Sequence, residues 1–176
     1  IRSEVATRAR QSGSTGMPFG LSGTLRLSLS VPDRAKGDKT DVHAAVGVAA
    51  TPSIFRTIGV PILRGRGFED RDHVGAPLVV VLSEPTARRI FGTIDAVGRP
   101  LVLESQPTRA PIATVIGTAA DTDPGRVLAA PRAFFYLPLA QQYDSRLTVV
   151  ARSKRNAAEA VRALREALRR AGPDLA

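Results

Sequence analysis

A chain of 176 residues, 43% hydrophobic and 23% charged, is long enough to bury a core and too apolar to stay disordered. It has no cysteine, which excludes a disulfide framework, a thiolate metal site and a cysteine nucleophile. The net charge of +9 is carried almost wholly by scattered arginines, and aromatic content is 5% with no tryptophan, so a stacking platform for single-stranded nucleic acid is poorly supplied.

The chain opens Ile1-Arg2-Ser3-Glu4 with no apolar leader, and without an initiator methionine it is expected to be part of a longer polypeptide. Glu4–Arg8 suits a strand, followed by a Gly/Ser-rich loop from Gln11 to Gly16. Leu25, Leu27 and Leu29 alternate with polar neighbours, the two-residue period of a half-buried strand. Pro32 to Thr40 is a polar connection, and Val42, Ala44, Val46 and Val48 alternate again, predicting a second such strand with these four side chains inward.

Thr51–Gly59 predicts a short helix, with Thr51 as N-cap, Pro52 at the first helical position and Gly59 as the left-handed stop. A strand from Val60 to Leu63 leads into Arg64-Gly65-Arg66-Gly67-Phe68, where two glycines predict a turn or bulge. Glu69 to Ala76 reads as a charged loop. The aliphatic run Leu78–Leu82 is far short of the roughly 20 residues of a bilayer span and suits a strand buried on both faces.

Ser83 is placed to cap the next helix, with Pro85 in its first turn, Ala87, Ile90 and Phe91 on its buried face and Gly92 at its end. Strands follow at Leu101–Glu104, Ala113–Gly117, Ala133–Leu137 and Thr148–Arg152. Asn156 and Glu159 form a capping box, after which Ala157, Val161, Leu164 and Leu168 make an apolar stripe and Gly172-Pro173 a terminator. A further strand is expected next. Strands and helices mix without regular βαβ alternation, which predicts an α+β fold.

The groups that do chemistry are sparse. His43 lies within an alternating strand, opposite Val42 and Val46, and reads as a surface or edge histidine. Glu69, Asp70, Asp72 and His73 are cation-binding residue types, but they adjoin one another in a loop with Arg71 competing for the carboxylates, so a solvated loop is expected. Gly65-x-Gly67 lacks the third glycine and the lysine of a phosphate cradle. Ser83 follows a buried strand as a nucleophile elbow would, yet Leu82 and Glu84 stand beside it instead of the flanking glycine pattern. Asp121-Thr122-Asp123 reads as a turn before Pro124-Gly125 rather than a cation site. No constellation supports an enzyme, and no catalytic, cofactor-binding or metal-binding residue is assigned.

Three stretches resemble the extracytoplasmic core domain of MacB-like permeases, which carry an FtsX-like membrane portion. The first runs from Val48 to Phe68 and contains Pro52-Ser53-Ile54-Phe55, Gly59-Val60-Pro61 and Gly65-Arg66-Gly67-Phe68. The second runs from Val79-Val80-Val81-Leu82-Ser83-Glu84 through Ala87-Arg88-Arg89-Ile90-Phe91-Gly92 to Val97-Gly98-Arg99-Pro100-Leu101, with Ser83 where the family usually has Asn and Asp95-Ala96 where it has Asp-Pro. The third is Thr114-Val115-Ile116-Gly117, then Phe135-Tyr136-Leu137-Pro138-Leu139-Ala140-Gln141.

The order and spacing match over about 42 to 176. The resemblance implies a porter-like subdomain from residues 1–68 and 146–176, and an inserted smaller α/β subdomain of Sabre type from residues 69–145. It implies a mechanotransmitting, non-catalytic domain on the periplasmic side of the inner membrane in an ABC transporter that exports or extracts a substrate. The implied partners are a second permease copy or half, a cytoplasmic ATPase, a periplasmic adaptor, and the membrane through flanking helices, with no nucleic acid. The competing reading from charge alone is a basic module that binds anionic lipid or nucleic acid.

Overall fold

The computed structural model describes residues 4–9, 25–32, 42–104, 111–121, 133–142, 147–152 and 157–171. The strands are β1 (Glu4–Ala9), β2 (Leu25–Ser30), β3 (His43–Ala50), β4 (Ile62–Gly65), β5 (Val79–Ser83), β6 (Pro100–Glu104), β7 (Ile112–Ala119), β8 (Ala133–Pro138) and β9 (Leu147–Arg152). The helices are α1 (Ile54–Ile58), α2 (Glu84–Phe91) and α3 (Ala157–Ala171), with a 3-10 turn at Leu139–Gln141. Among the described residues no helix is long and apolar enough to cross a membrane.

All these strands join one mixed sheet in the order β2-β6-β7-β5-β8-β3-β1-β9, with β4 alongside β7. Because β2 pairs with β6 on one edge and with β3 on the other, the six strands β2-β6-β7-β5-β8-β3 close into a ring. The β3–β8 and β5–β7 pairs are parallel and the remaining pairs antiparallel. The fold is therefore mixed α/β, and its strands form a continuous ladder.

Register decides which side chains fill the ring. The pairs Leu29↔Leu103, Leu101↔Ala113, Val80↔Val115, Leu82↔Phe135 and Ala45↔Ala133 put all these residues on one face, and all of them are buried in one cluster with Ala87 and Ile90 of α2. The opposite face of β3, β5 and β8 carries Val48, Val81 and Tyr136, covered by Ile54 and Phe55 of α1 and by Val60 and Phe68. All five residues of β5 are buried, one position later than the aliphatic run Leu78–Leu82, with Leu78 itself half-buried.

The inward face of β3 differs from expectation. Val42 is 45% exposed and Ala44 exposed, whereas Ala45, Gly47 and Ala49 are buried. The cause is Phe135, which fills the ring so fully that a Cβ on Gly47 would overlap its aromatic edge. No side chain fits at Gly47, its inward neighbours Ala45 and Ala49 are small, and from Gly47 onward both faces of the strand are covered. Periodicity of large apolar residues therefore locates the strand, with Val48 buried in the second cluster, but does not show which face fills the ring.

Other boundaries move as well, the largest changes being at α1, β4 and β7. Helix α1 starts at Ile54 with Ser53 as N-cap rather than at Pro52 behind Thr51, because Thr51 is already committed to a turn in which the Ile54 N–H donates to its carbonyl at 3.0 Å. Strand β4 lies two residues later than predicted, at Ile62–Gly65. Strand β7 runs on to Ala119, where β4 and β5 still pair with it. On α3 the predicted apolar stripe is only partly covered: Val161 is 47% exposed, and among the described elements the main neighbour of the helix is β9. The capping residue Asn156 lies outside the described residues.

Ser83 occupies the N-cap position of α2 but its side chain makes no cap bond. Instead the Thr86 hydroxyl donates to the Phe134 carbonyl at 2.9 Å and accepts from the Phe134 N–H at 2.6 Å, so the 2.8 Å Ser83–Thr86 contact must have Ser83 as donor. The register Leu82↔Phe135 would next pair Ser83 with Phe134, so Thr86 replaces the ladder bonds that β5 gives up on turning into a helix. Replacing Thr86 by valine strands both Phe134 backbone groups and is expected to cost about 1–3 kcal/mol, while serine stays close to wild type, as read by urea denaturation.

Candidate functional site

The residue groups weighed for chemistry do not converge. His43 is half-buried near one end of β3, and His73 is exposed with Nδ1 2.7 Å from the Val74 carbonyl. Among the described residues no group of three or more His, Asp or Glu side chains is placed to hold a metal ion. The hydroxyl proton of Ser83 is committed to Thr86 inside the protein, which leaves it unsuited to nucleophilic attack. Asp121 is exposed after β7, and Thr122 and Asp123 lie outside the described residues.

Gly65 serves a close backbone crossing rather than a phosphate cradle, and Gly67 lies against the Phe55 ring, 3.2 Å from where its Cβ would stand. Gly65 has φ 68°, and the Arg66 N–H donates to the Ile116 carbonyl at 3.0 Å, so the β4 end lies tight against β7.

The loop after this crossing corrects the expectation of a solvated acidic cluster. Asp72 is only 4% exposed and takes two bonds from Arg66, Nη1 to Oδ2 at 2.7 Å and Nη2 to Oδ1 at 2.8 Å. The Glu69 N–H adds a third at 2.9 Å. Hydrogen bonding from Arg66 is the main reason the Asp72 carboxyl sits below its ordinary range, against the opposing effect of burial and with help from the Glu69 N–H and the charges of Arg66 and Arg71. The same bond raises Arg66. Glu69 itself pairs with Arg71 at the surface, at 2.8 Å. Of the acidic loop, only Asp72 is drawn inward.

A second fastening comes from the other side. Gln141, in the 3-10 turn after β8, donates from Nε2 to the carbonyls of Pro77 at 3.0 Å and His73 at 3.3 Å, and its Oε1 accepts from the Val79 N–H at 3.2 Å. One amide side chain thus holds both ends of the 73–79 segment. Gln141→Leu removes these bonds together and is expected to destabilise by roughly 1–3 kcal/mol. Native-state hydrogen exchange should show the loss first at Val79, before global unfolding.

Between the two fastenings lies an aromatic cluster. Phe55 sits 5.7 Å from Phe68 and 4.8 Å from Tyr136, which in turn stands edge-on to Phe134 at 5.0 Å. Phe68, Pro138 and Leu139 also line a shallow cleft of about 140 Å³ bordered by Glu69 and Asp70. The parallel pairing Val48↔Tyr136 brings this about, since it sets the segment after β3 beside the segment after β8. Phe55 of the first stretch, packed on Phe68, thereby meets Tyr136 of the third. The roles of Asp72 and Thr86 have no periodic signature in the sequence.

This architecture is shared with extracytoplasmic domains of ABC-type transporters. The periplasmic region of MacB from Actinobacillus actinomycetemcomitans has a similar fold, with a TM-score of 0.59 and 17% identity over 93% of this chain and 82% of that one. The extracellular domain of the noncanonic ABC-type transporter YknZ from Gram-positive bacteria is similar with a TM-score of 0.57 and 13% identity, over 91% of this chain and 68% of that one. The chain belongs to the family of MacB-like periplasmic core domains, whose family model matches residues 19–167. Over 92 residues it is 34% identical to the macrolide export ATP-binding/permease protein MacB of Chromobacterium violaceum, a match that covers 52% of this chain and 13% of that protein. It therefore spans a small part of the length of that relative.

Proposed function

We propose that this chain is the extracytoplasmic working domain of a MacB/FtsX-type ABC permease, held at the periplasmic side of the inner membrane by flanking helices. Conformational change driven by ATP hydrolysis in a cytoplasmic subunit or domain reaches it through those helices and is used to export or extract a substrate. The domain does no catalysis of its own. It acts beside a second permease copy or half, with a periplasmic adaptor as a further partner. The moving bodies are the porter-like part, residues 1–68 and 146–176, and the Sabre-like insert, residues 69–145.

The observation that carries this reading is the junction itself. Residues through which the chain resembles the family pack together where Phe55 contacts Phe68 and Tyr136, beside the proposed boundary at residues 68–69, and Gln141 fastens the 73–79 segment that follows it. The two parts are also joined by the β3–β8, β2–β6 and β4–β7 ladders, so the motion proposed is a small shear that keeps these strands paired.

The test uses the parent permease in lipid nanodiscs, labelled at Val97→Cys in the insert and Ala158→Cys on α3. Both positions are exposed, and this segment has no cysteine of its own. The spin–spin distance distribution is expected to shift between the nucleotide-free and ATP-trapped states. An identical distribution in both states overturns the two-body motion, and a parent gene without membrane-spanning segments overturns the whole reading.

A further inference from the structure

More than half of the net charge of the chain is concentrated near its C-terminal end. Residues 152–170 hold seven basic side chains against two acidic ones, Glu159 and Glu166. Glu166 is occupied twice, by Arg169 at 2.7 Å and Arg170 at 3.1 Å. Arg162 and Arg165 make no ion pair among the described residues.

Arg162, Arg165 and Arg169 recur at spacings of three and four, so they share one face of α3 over a length of about 10 Å. All three are exposed, as are Ala158 and Val161 on the same side of the helix. Val161 keeps 47% of its surface in contact with solvent. The face is thus a short row of guanidinium groups beside an uncovered apolar side chain, on the helix whose main neighbour is β9.

We propose that this face of α3 docks on a surface of anionic phospholipid headgroups. Guanidinium groups bind phosphate oxygens through paired N–H donors, and a basic amphipathic helix adds apolar contact at the headgroup boundary. Val161 supplies that contact, which a purely phosphate-binding surface would not need. Nucleic acid fits less well, since aromatic residues for base stacking are few. The docking does not depend on the motion proposed above, so either can fail without the other.

The test is flotation of the 176-residue chain with phosphatidylglycerol–phosphatidylcholine vesicles and with phosphatidylcholine vesicles, at low and high salt. Binding is expected only to the anionic vesicles and only at low salt. Arg162→Gln with Arg165→Gln should weaken it roughly thirty-fold. The charge-matched pair Arg88→Gln with Arg89→Gln on the exposed side of α2 should leave it within about two-fold. Circular dichroism confirms that both variants keep the fold. Absence of binding by the unmodified chain overturns the proposal. So does an equal loss in the two variants, which would mean diffuse charge, or equally tight binding of a DNA duplex through the same arginines.

Discussion

Gly117→Ala is expected to destabilise the protein by roughly 3 kcal/mol or more, enough to empty the soluble folded fraction of a marginal domain. Gly117 lies where β7 is clamped on both edges, by Val81 of β5 and by Gly65 of β4. A Cβ there would run into the Arg66 carbonyl oxygen and stand 3.2 Å from that of Arg64. Gly65 reciprocates: its Cβ would strike the Ile116 carbonyl oxygen and lie 3.1 Å from the Gly117 Cα. Both obstacles are backbone, so no rotamer change relieves them, and any shift must be absorbed by three paired strands at once.

Gly65→Ala carries an extra penalty of about 1–2 kcal/mol for its left-handed φ of 68°. Gly75→Ala separates the two costs, because Gly75 has φ 88° with nothing within 4 Å of an added Cβ. It should lose only the conformational part. Urea denaturation of the three variants gives the order Gly117 and Gly65 well below Gly75. A Gly117→Ala midpoint within experimental error of wild type would show that the crossing is not tight.

Local chemistry made much of this fold readable before any coordinates. The alternation of Leu25, Leu27 and Leu29 located β2, the run of valines gave β5 with both faces buried, and Gly59 ended α1 with φ 77°. Closure of the ring was not readable, because it depends on β2 pairing with two strands that are far from each other in sequence. The inward face of β3 was hidden for a related reason: its central position is a glycine because Phe135, some 90 positions later, occupies the space of a side chain there.

The junction shows the same limit. Phe55 and Tyr136 stand out through family resemblance, but only the parallel pairing of β3 with β8 brings them together. Asp72 was hidden among charged neighbours. Composition marks such a loop as solvated, and nothing local tells which of its carboxylates turns inward.

Breaking the Arg66–Asp72 pair should be the most informative change after the glycine crossing. Asp72→Ala is expected to cost about 3 kcal/mol, since it removes two charge-assisted bonds and the acceptor for the Glu69 N–H. Arg66→Met should cost at least as much. Asp72, 4% exposed, would be left as a buried charge, whereas Arg66, 28% exposed, reaches water when its partner is lost. Arg66→Lys should rescue little, because an ammonium cannot make the two-pronged contact.

The pH dependence follows from the lowered Asp72 carboxyl. In acid the unfolded chain takes up this proton before the folded one does, so stability rises with pH across that window. The contribution is complete above the ordinary aspartate value of about 3.9 and disappears as pH falls through the lower folded value. Urea midpoints measured from neutral pH into acid should therefore show wild type and Asp72→Asn far apart near neutrality and converging only below the ordinary carboxylate range. A gap that closes well above that range would mean that Arg66 does not hold the carboxylate in its ionised form.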